Sequence, residues 1–351
     1  MSRSTRLIAS LLFGSGLSAL VYQTAWQRML RLVFGASTAA TAAVLAIFLG
    51  GLGLGAAYFG KRIEKSERPL SYYGNLEAGV ALAAALTPGS AWLAARIYFG
   101  LGGSVALGAW GAGAVRLVLS TMVLGPAVVL MGGTLPAAAR AVETQDDFAR
   151  SRLATLYAAN TAGAVAGTLL STFVLFEVYG TRLSLWSAAL LNLLVALLAR
   201  RFGRVAAPVP VSEPESAEDS FEAGVAFESR KVPAALVYAV AAGSGFAFLS
   251  LELVWYRMLA PILGGSSFTF GLILAVALAG IGLGGWFYAL RDRGRFATPS
   301  LLAITLALEA LAIGIPLALG DKIAIYAAYT RPMAALGFWA LVLSWTFSTA
   351  V

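Results

Sequence analysis

Apolar runs of about 20 residues recur along this chain from Leu7 to Val351, and each is long enough to cross a hydrocarbon layer of roughly 30 Å as a helix. The runs are continuously apolar and lack the alternation of a barrel strand, so helices are the spanning form that fits them. Apolar residues make up 59% of the 351 positions and charged residues only 12%. Because so little polar surface is available to face water, the sequence predicts an all-α integral membrane protein.

One stretch of the sequence occurs twice. "GSGLSALVYQTAWQRML" begins at Gly14 and "GSGFAFLSLELVWYRML" begins at Gly243, and an ungapped alignment that ends at Arg62 and Arg291 contains 18 identities in 49 positions. A duplicated element belongs to the fold, whereas a signal peptide is removed from the mature protein. The first apolar run, 7–25, is therefore predicted to be a membrane span.

The distribution of basic residues predicts the orientation, because cytoplasmic loops are enriched in Lys and Arg. If residues 91–111 lie at the outer surface or re-enter the membrane without crossing, 17 of the 25 basic residues fall on one side. The N-terminus and the central linker are then predicted to be cytoplasmic. The first half then has six predicted spans, at about 7–25, 36–60, 69–87, 113–139, 153–178 and 182–199.

The second half is predicted to run parallel to the first, because an even number of spans returns the chain to its starting side. Parallel repeats are the plan of the major facilitator superfamily halves. The predicted domains are a first repeat at 1–202, a disordered acidic cytoplasmic linker at 203–232 and a second repeat at 233–351. Further spans are expected near 234–253, 266–290, 298–319 and 336–351. These total about ten of an expected twelve, so the second repeat is predicted to be incomplete.

Cysteine and histidine are absent from the sequence. Disulfides, thiolate nucleophiles, histidine bases and Cys or His metal sites are therefore excluded. No catalytic residue, cofactor site or metal site is predicted, and no nucleic-acid partner is expected. The expected surroundings are the lipid bilayer and other membrane proteins.

Small and interfacial residues dominate the duplicated motifs. Gly51 and Gly55, and their counterparts Gly280 and Gly284, lie four apart, which favours close helix packing over contact with a substrate. Trp26 and its counterpart Trp255 fit an aromatic belt at the outer interface.

Three polar residues next to these motifs also have structural explanations. Arg28 and Arg257 either extend to lipid headgroups or pair with an acid. Asn160 caps a helix or hydrogen-bonds across the bundle, and binding of a ligand is the alternative.

Carboxylates inside spans are the strongest functional candidates, because a charged group in hydrocarbon costs about 2.5–3.5 kcal/mol. Glu77 and Glu309 share the pattern Leu-Glu-Ala in the third span of each half. Both are predicted to point inward and to bind an organic cation or an exchanging proton. The alternative is that each neutralises Arg28 or Arg257. Glu252, beside the repeat position of Gln23, is close enough along its helix to approach Arg257.

Four motifs together resemble a known family: "GLSALVYQTAWQRMLRLVFGAS", "FLGGLGLGAAYFG", "MGGTLP" and "LYAANTAGAVAGTLLSTFVL". They are similar to the membrane region of bacterial proteins that fuse a transporter-like bundle to a spermidine synthase-like domain. The resemblance implies a bacterial cytoplasmic membrane location. In that family a soluble Rossmann-like domain transfers an aminopropyl group, but no glycine-rich nucleotide loop or acidic catalytic loop occurs in this sequence.

Three functions follow as expectations. The first is a transporter-like bundle that binds or moves a small, polyamine-like organic cation. The second is a structural subunit of a larger membrane complex, for which the small-residue helix faces would serve equally well. The third is the membrane anchor of an aminopropyltransferase-like enzyme whose catalytic domain lies outside this chain.

Overall fold

The computed structural model of the protein describes residues 3–34, 38–142, 151–206, 234–263, 267–291 and 299–350. Throughout these ranges the regular structure is helical, and no strand occurs in them. The predicted all-α architecture is therefore confirmed for the described residues. Of the predicted linker, residues 207–232 lie outside these ranges.

Fifteen helical elements make up the described chain. The first half contains α1 (Arg3–Phe34), α2 (Thr38–Ile63), α3 (Pro69–Gly100), α4 (Gly103–Gly132), α5 (Thr134–Val142), α6 (Ser151–Leu170), a π-helical turn (Ser171–Leu175), α7 (Phe176–Val178) and α8 (Gly180–Val205). The second half contains α9 (Ala234–Leu263), α10 (Ser267–Arg291), α11 (Pro299–Leu319), α12 (Lys322–Thr330), a 3₁₀ turn (Arg331–Leu336) and α13 (Phe338–Ala350).

Within the described ranges, eight helical segments are long and apolar enough to cross a membrane, which indicates a multi-pass membrane protein. They are Ser4–Arg31, Ala42–Ile63, Pro69–Gly100, Gly103–Val142, Arg152–Val178, Gly180–Val205, Tyr238–Leu263 and Phe268–Phe287. The last two predicted spans coincide with shorter apolar helices in the described ranges, so the total of about ten spans stays a prediction. The apolar part of α11 is shorter, at Ser300–Pro316, and the 13 residues of α13 rise only about 20 Å.

Residues 91–111 form no separate helix, and the described first half contains six candidate spans, as predicted. They are the end of α3 and the beginning of α4, which join at a turn where Gly102 has a φ of 84°. The 32 residues of α3 rise about 48 Å, which exceeds the roughly 30 Å hydrocarbon layer. The α3–α4 hairpin therefore extends beyond the hydrocarbon layer. Arg116 of α4 stabilises this hairpin by donating hydrogen bonds to Tyr98 and Ser104.

The first half is a closely packed bundle. α1 lies against α6 and α8, α3 lies against α8 and α4, and α2 lies against α4. The largest core cluster gathers side chains from α1 to α4, α7 and α8, with Trp26 near its centre. The indole is 1% exposed, its Nε1 donates to Thr87 Oγ1 over 3.0 Å, and its ring stacks on Tyr22. The prediction that Trp26 belongs to an interfacial belt is therefore wrong.

The second half packs on the first through α10. This helix lies against α6 and the π-helical turn, where Gly271 meets the side chain of Thr172, and α9 lies against α10. α11 exposes most of its described side chains, including Leu308 and Leu311. The two halves share a duplicated sequence but differ in how much of each helix is buried.

Candidate functional site

The duplicated glycines behave differently in the two halves. A Cβ atom on Gly55 would clash with the carbonyl oxygen of Val129, and one on Gly51 would press against Val128. These two glycines therefore allow α2 to approach α4 closely. No described atom lies within 4 Å of a Cβ built on Gly280 or Gly284, so the predicted packing role is wrong for this pair. The reason is that both glycines lie on a side of α10 that no described helix covers, whereas Gly282 between them faces Thr161 of α6.

A second glycine contact, between α1 and α6, was not predicted. A Cβ atom on Gly163 or Gly167 would clash with the backbone of Phe13 or Leu17. A Cβ on Gly16 would clash with the carbonyl oxygen of Asn160. Asn160 is thus half-buried at this crossing, and its backbone forms part of the helix contact. The spacing of small residues in "NTAGAVAG" is the signal that identifies this interface in the sequence.

Glu77 lies in a buried polar cluster among α1, α3 and α8. Its side chain is 1% exposed, and its Oε1 accepts a hydrogen bond of 2.6 Å from Ser15 Oγ. The side chains of Tyr73 and Asn192 lie close to the carboxyl group. Asn192 Nδ2 donates to the Glu77 carbonyl oxygen over 2.9 Å as well. Neutral polar groups thus surround this carboxyl group, in agreement with its predicted inward position.

The predicted neutralisation by arginine is wrong for Glu77. Arg28 lies with its guanidinium 5.5 Å from the centre of the Phe176 ring, and Arg257 is exposed on α9. No ion pair joins either arginine to a carboxylate within the described ranges. Arg28 makes a cation–π contact with Phe176 at the beginning of α7 instead.

Glu309 does not point inward, contrary to the prediction. It lies midway along α11 and is exposed together with its neighbours Leu308 and Ala310. The shared pattern Leu-Glu-Ala therefore places Glu77 and Glu309 in opposite environments. The physical reason is that α3 is covered by α1, α4 and α8, whereas α11 contacts only α12 to a significant extent.

Glu252 is the buried carboxylate that the described residues leave without a partner. Its side chain is 3% exposed, and its buried Oε1 has no hydrogen-bond partner among the described residues. The predicted approach to Arg257 is wrong, because five residues along a helix turn the side chain by about 140°. Arg257 accordingly faces outward.

The buried face of α9 continues from Glu252 through Tyr256 and Leu259, one and two turns further along the helix. The Tyr256 ring meets Phe270 of α10 edge-on, with centroids 6.0 Å apart. The guanidinium of Arg31, near the end of α1, lies 6.0 Å from the same ring. Tyr256 also contacts the cluster formed by Leu20, Ala164 and Phe270. Glu252 is therefore buried on the face of α9 whose tyrosine reaches the first half.

Polar residues of α1 were not predicted as a group. Ser15, Ser18, Tyr22, Thr24 and Gln27 are all buried, although this helix was interpreted as a plain span. Thr24 Oγ1 lies 2.9 Å from Ser171 Oγ at the start of the π-helical turn, a form that is frequent at functional sites. The number of polar residues in "GSGLSALVYQTAWQ" is the available signal, whereas nothing in the sequence marks the π-helical turn.

The residues that the sequence singles out therefore do not converge on one site. Glu77 and Glu252 lie in separate buried environments, the first with hydrogen-bond partners and the second with an unpaired oxygen. Comparison with protein-family models, with curated proteins and with solved structures finds no match to this chain. The resemblance of its motifs to the fused transporter-like and spermidine synthase-like proteins stays a prediction.

Proposed function

We propose that this chain is a transporter-like membrane bundle that binds a small organic cation, with Glu252 supplying the counter-charge. The observation that carries the proposal is the unpaired Oε1 of Glu252 on a carboxyl group that is 3% exposed. A buried carboxylate without a partner is costly, so a natural protein normally retains one where a proton or a ligand compensates it.

The surroundings of Glu252 favour an organic cation. Tyr256 presents an aromatic ring one turn away, and Leu259 adds apolar surface on the same face of α9. An ammonium ion with a hydrocarbon chain can use all three: the carboxylate for its charge, the ring for a cation–π contact and the apolar wall for its methylenes. A linear polyamine has this composition.

The duplicated sequence supports placing this site between the two halves. In the ungapped alignment Glu252 takes the position of Gln23, which is also buried. Together with the contact between α10 and α6, this equivalence fits parallel repeats like the halves of the major facilitator superfamily. A ligand between equivalent helices of such repeats would contact both halves.

We expect Glu252→Gln to abolish stabilisation by spermidine while leaving the unliganded protein folded. Glutamine keeps the shape of the side chain and removes a charge that has no partner, so the melting temperature without ligand should stay the same or rise. Saturating spermidine should raise the melting temperature of the unmodified protein, because a ligand that binds only the folded state stabilises it. The measurement is thermal unfolding of the purified protein in detergent with and without spermidine.

Glu309→Gln is the matched control, since it removes an exposed carboxylate from a helix of the same half. It should leave the response to spermidine intact. A large fall in melting temperature for Glu252→Gln without ligand would instead indicate a structural partner for this carboxylate and would contradict the proposal.

We also propose that the N-terminus and the α2–α3 loop face the cytoplasm of a bacterial inner membrane. The support is the concentration of basic residues at the end of α2, with Lys61 and Arg62, and in the loop itself, with Lys65 and Arg68. Because the sequence contains no cysteine, single cysteines give unambiguous labelling. An impermeant maleimide should modify Glu64→Cys only in inside-out vesicles and Leu101→Cys only in intact cells. Labelling of both positions from the same side would refute the assignment.

A structural subunit of a membrane complex is the second candidate, and Glu309 favours it. A carboxylate exposed midway along an apolar helix is unfavourable against lipid, and a partner helix that covers α11 would remove that cost. This candidate predicts that the protein purifies with a stoichiometric partner. It also predicts that no organic cation changes its melting temperature.

A further inference from the structure

The polar cluster around Glu77 contains more oxygen atoms than its hydrogen bonds use. Ser15, Ser18 and Tyr22 occur at i, i+3 and i+7 on one face of α1, and all three are buried. Ser15 donates to Glu77, but Ser18 Oγ and the Tyr22 hydroxyl have no hydrogen-bond partner among the described residues. Two unpaired buried hydroxyls on the helix face whose serine bonds to a carboxyl group require an explanation in a native structure.

The Tyr22 side chain lies on the same face of α1 as Ser15 and is fully buried. Tyr73, one turn before Glu77 on α3, brings a second phenol to the cluster, and its hydroxyl also reaches the Leu11 carbonyl oxygen at 3.4 Å. Asn192 of α8 donates from its Nδ2 to the Glu77 carbonyl oxygen. The side-chain oxygen atoms of the cluster therefore come from α1 and α3.

The charge of the cluster restricts what it can bind. Glu77 is its one acidic group, and no Lys or Arg forms an ion pair with it in the described ranges. A divalent ion bound in a dry interior normally takes several carboxylates, so one carboxylate matches a single positive charge. Oxygen donors without nitrogen or sulfur select hard alkali or alkaline-earth ions over transition metals.

We propose that the Glu77 cluster is a monovalent cation site, selective for Na⁺ or an ion of similar size. Glu77 supplies the charge, and Ser18 and Tyr22 supply neutral oxygen ligands that are otherwise unpaired. The site lies entirely within the first half and shares no residue with the environment of Glu252. It does not depend on binding of an organic cation there.

The test uses the full chain and the ion alone. The melting temperature of the purified protein is measured in NaCl and in choline chloride at equal ionic strength, because choline is too large for the cluster. We expect a saturable rise with Na⁺ concentration that choline does not reproduce. Equal melting temperatures in the two salts at all concentrations would overturn the proposal and leave a protonated, neutral Glu77 as the explanation of its burial.

Two variants test whether Na⁺ binds at the Glu77 cluster. Ser18→Ala and Tyr22→Phe each remove one proposed ligand and leave the Ser15–Glu77 hydrogen bond in place. Each should raise the half-saturating Na⁺ concentration at least tenfold. Ser344→Ala is the matched control, since Ser344 in α13 also has a buried hydroxyl without a described partner but lies outside the cluster. If both variants respond to Na⁺ as the unmodified protein does, the ion binds elsewhere and the proposal is wrong.

Discussion

Gly55→Ala should markedly lower the melting temperature of the purified protein, whereas Gly284→Ala at the equivalent repeat position should leave it unchanged or raise it. The added Cβ at Gly55 meets the carbonyl oxygen of Val129, which belongs to the backbone of α4 and cannot move aside as a flexible side chain can. Relieving that clash requires α2 and α4 to separate. Overpacking of this kind costs about 1–3 kcal/mol, and more where backbone must shift.

Gly284 gives the matched control because its local sequence is nearly the same. "GLGLG" ends at Gly55 and "GIGLG" ends at Gly284. No described atom lies within 4 Å of a Cβ built there, so alanine adds only its better helix propensity, about 1 kcal/mol. Thermal unfolding in detergent compares the two variants. Equal falls in melting temperature for both variants would mean that α10 is packed as tightly as α2. This result would contradict the described asymmetry of the two halves.

Glu77→Ala should cost about 3 kcal/mol or more of stability, whereas Glu309→Ala should be neutral or stabilising. Truncating Glu77 leaves the Ser15 hydroxyl without its acceptor and the Asn192 and Tyr73 side chains without the carboxyl group. Each unsatisfied buried group costs about 1–3 kcal/mol, and the cavity left by the side chain adds to this. Glu309 has no such surroundings, because it is exposed on α11.

The comparison of Glu77→Ala with Glu309→Ala is made by thermal unfolding without added ligand and in choline chloride. This condition keeps spermidine and Na⁺ from contributing to the difference. If the Glu77→Ala protein has the same melting temperature as the unmodified protein, the hydrogen bonds among Ser15, Glu77 and Asn192 contribute nothing to stability. A large loss for Glu309→Ala would show that α11 is covered by a partner in the purified sample.

The sequence predicts the membrane spans of the first half well, because each is a long, continuously apolar run. It also indicates that glycines four apart mark helix contacts, which is correct for Gly51 and Gly55. It does not predict that the same motif is open at Gly280 and Gly284. A local pattern indicates which face of a helix carries small residues. Whether that face is buried depends on which other helix packs against it.

The candidate site could be predicted only in part for the same reason. The cost of a carboxylate in hydrocarbon correctly singles out Glu77 as an inward residue. Its partners Ser15 and Asn192 are 62 and 115 residues away in the sequence, and no local periodicity connects them. The predicted pairing with arginine relied on charge alone, whereas neutral hydroxyl and amide groups surround this carboxyl group.

Binding of an organic cation at Glu252 is the central claim, and equilibrium binding of radiolabelled spermidine to the purified protein tests it most directly. The account predicts one saturable site per chain, displaced by unlabelled spermidine but not by its fully acetylated, uncharged analogue. It further predicts that Glu252→Gln loses this site and that Glu309→Gln keeps it. Saturable binding of equal affinity and stoichiometry in Glu252→Gln, or no saturable binding to the unmodified protein, would contradict the account.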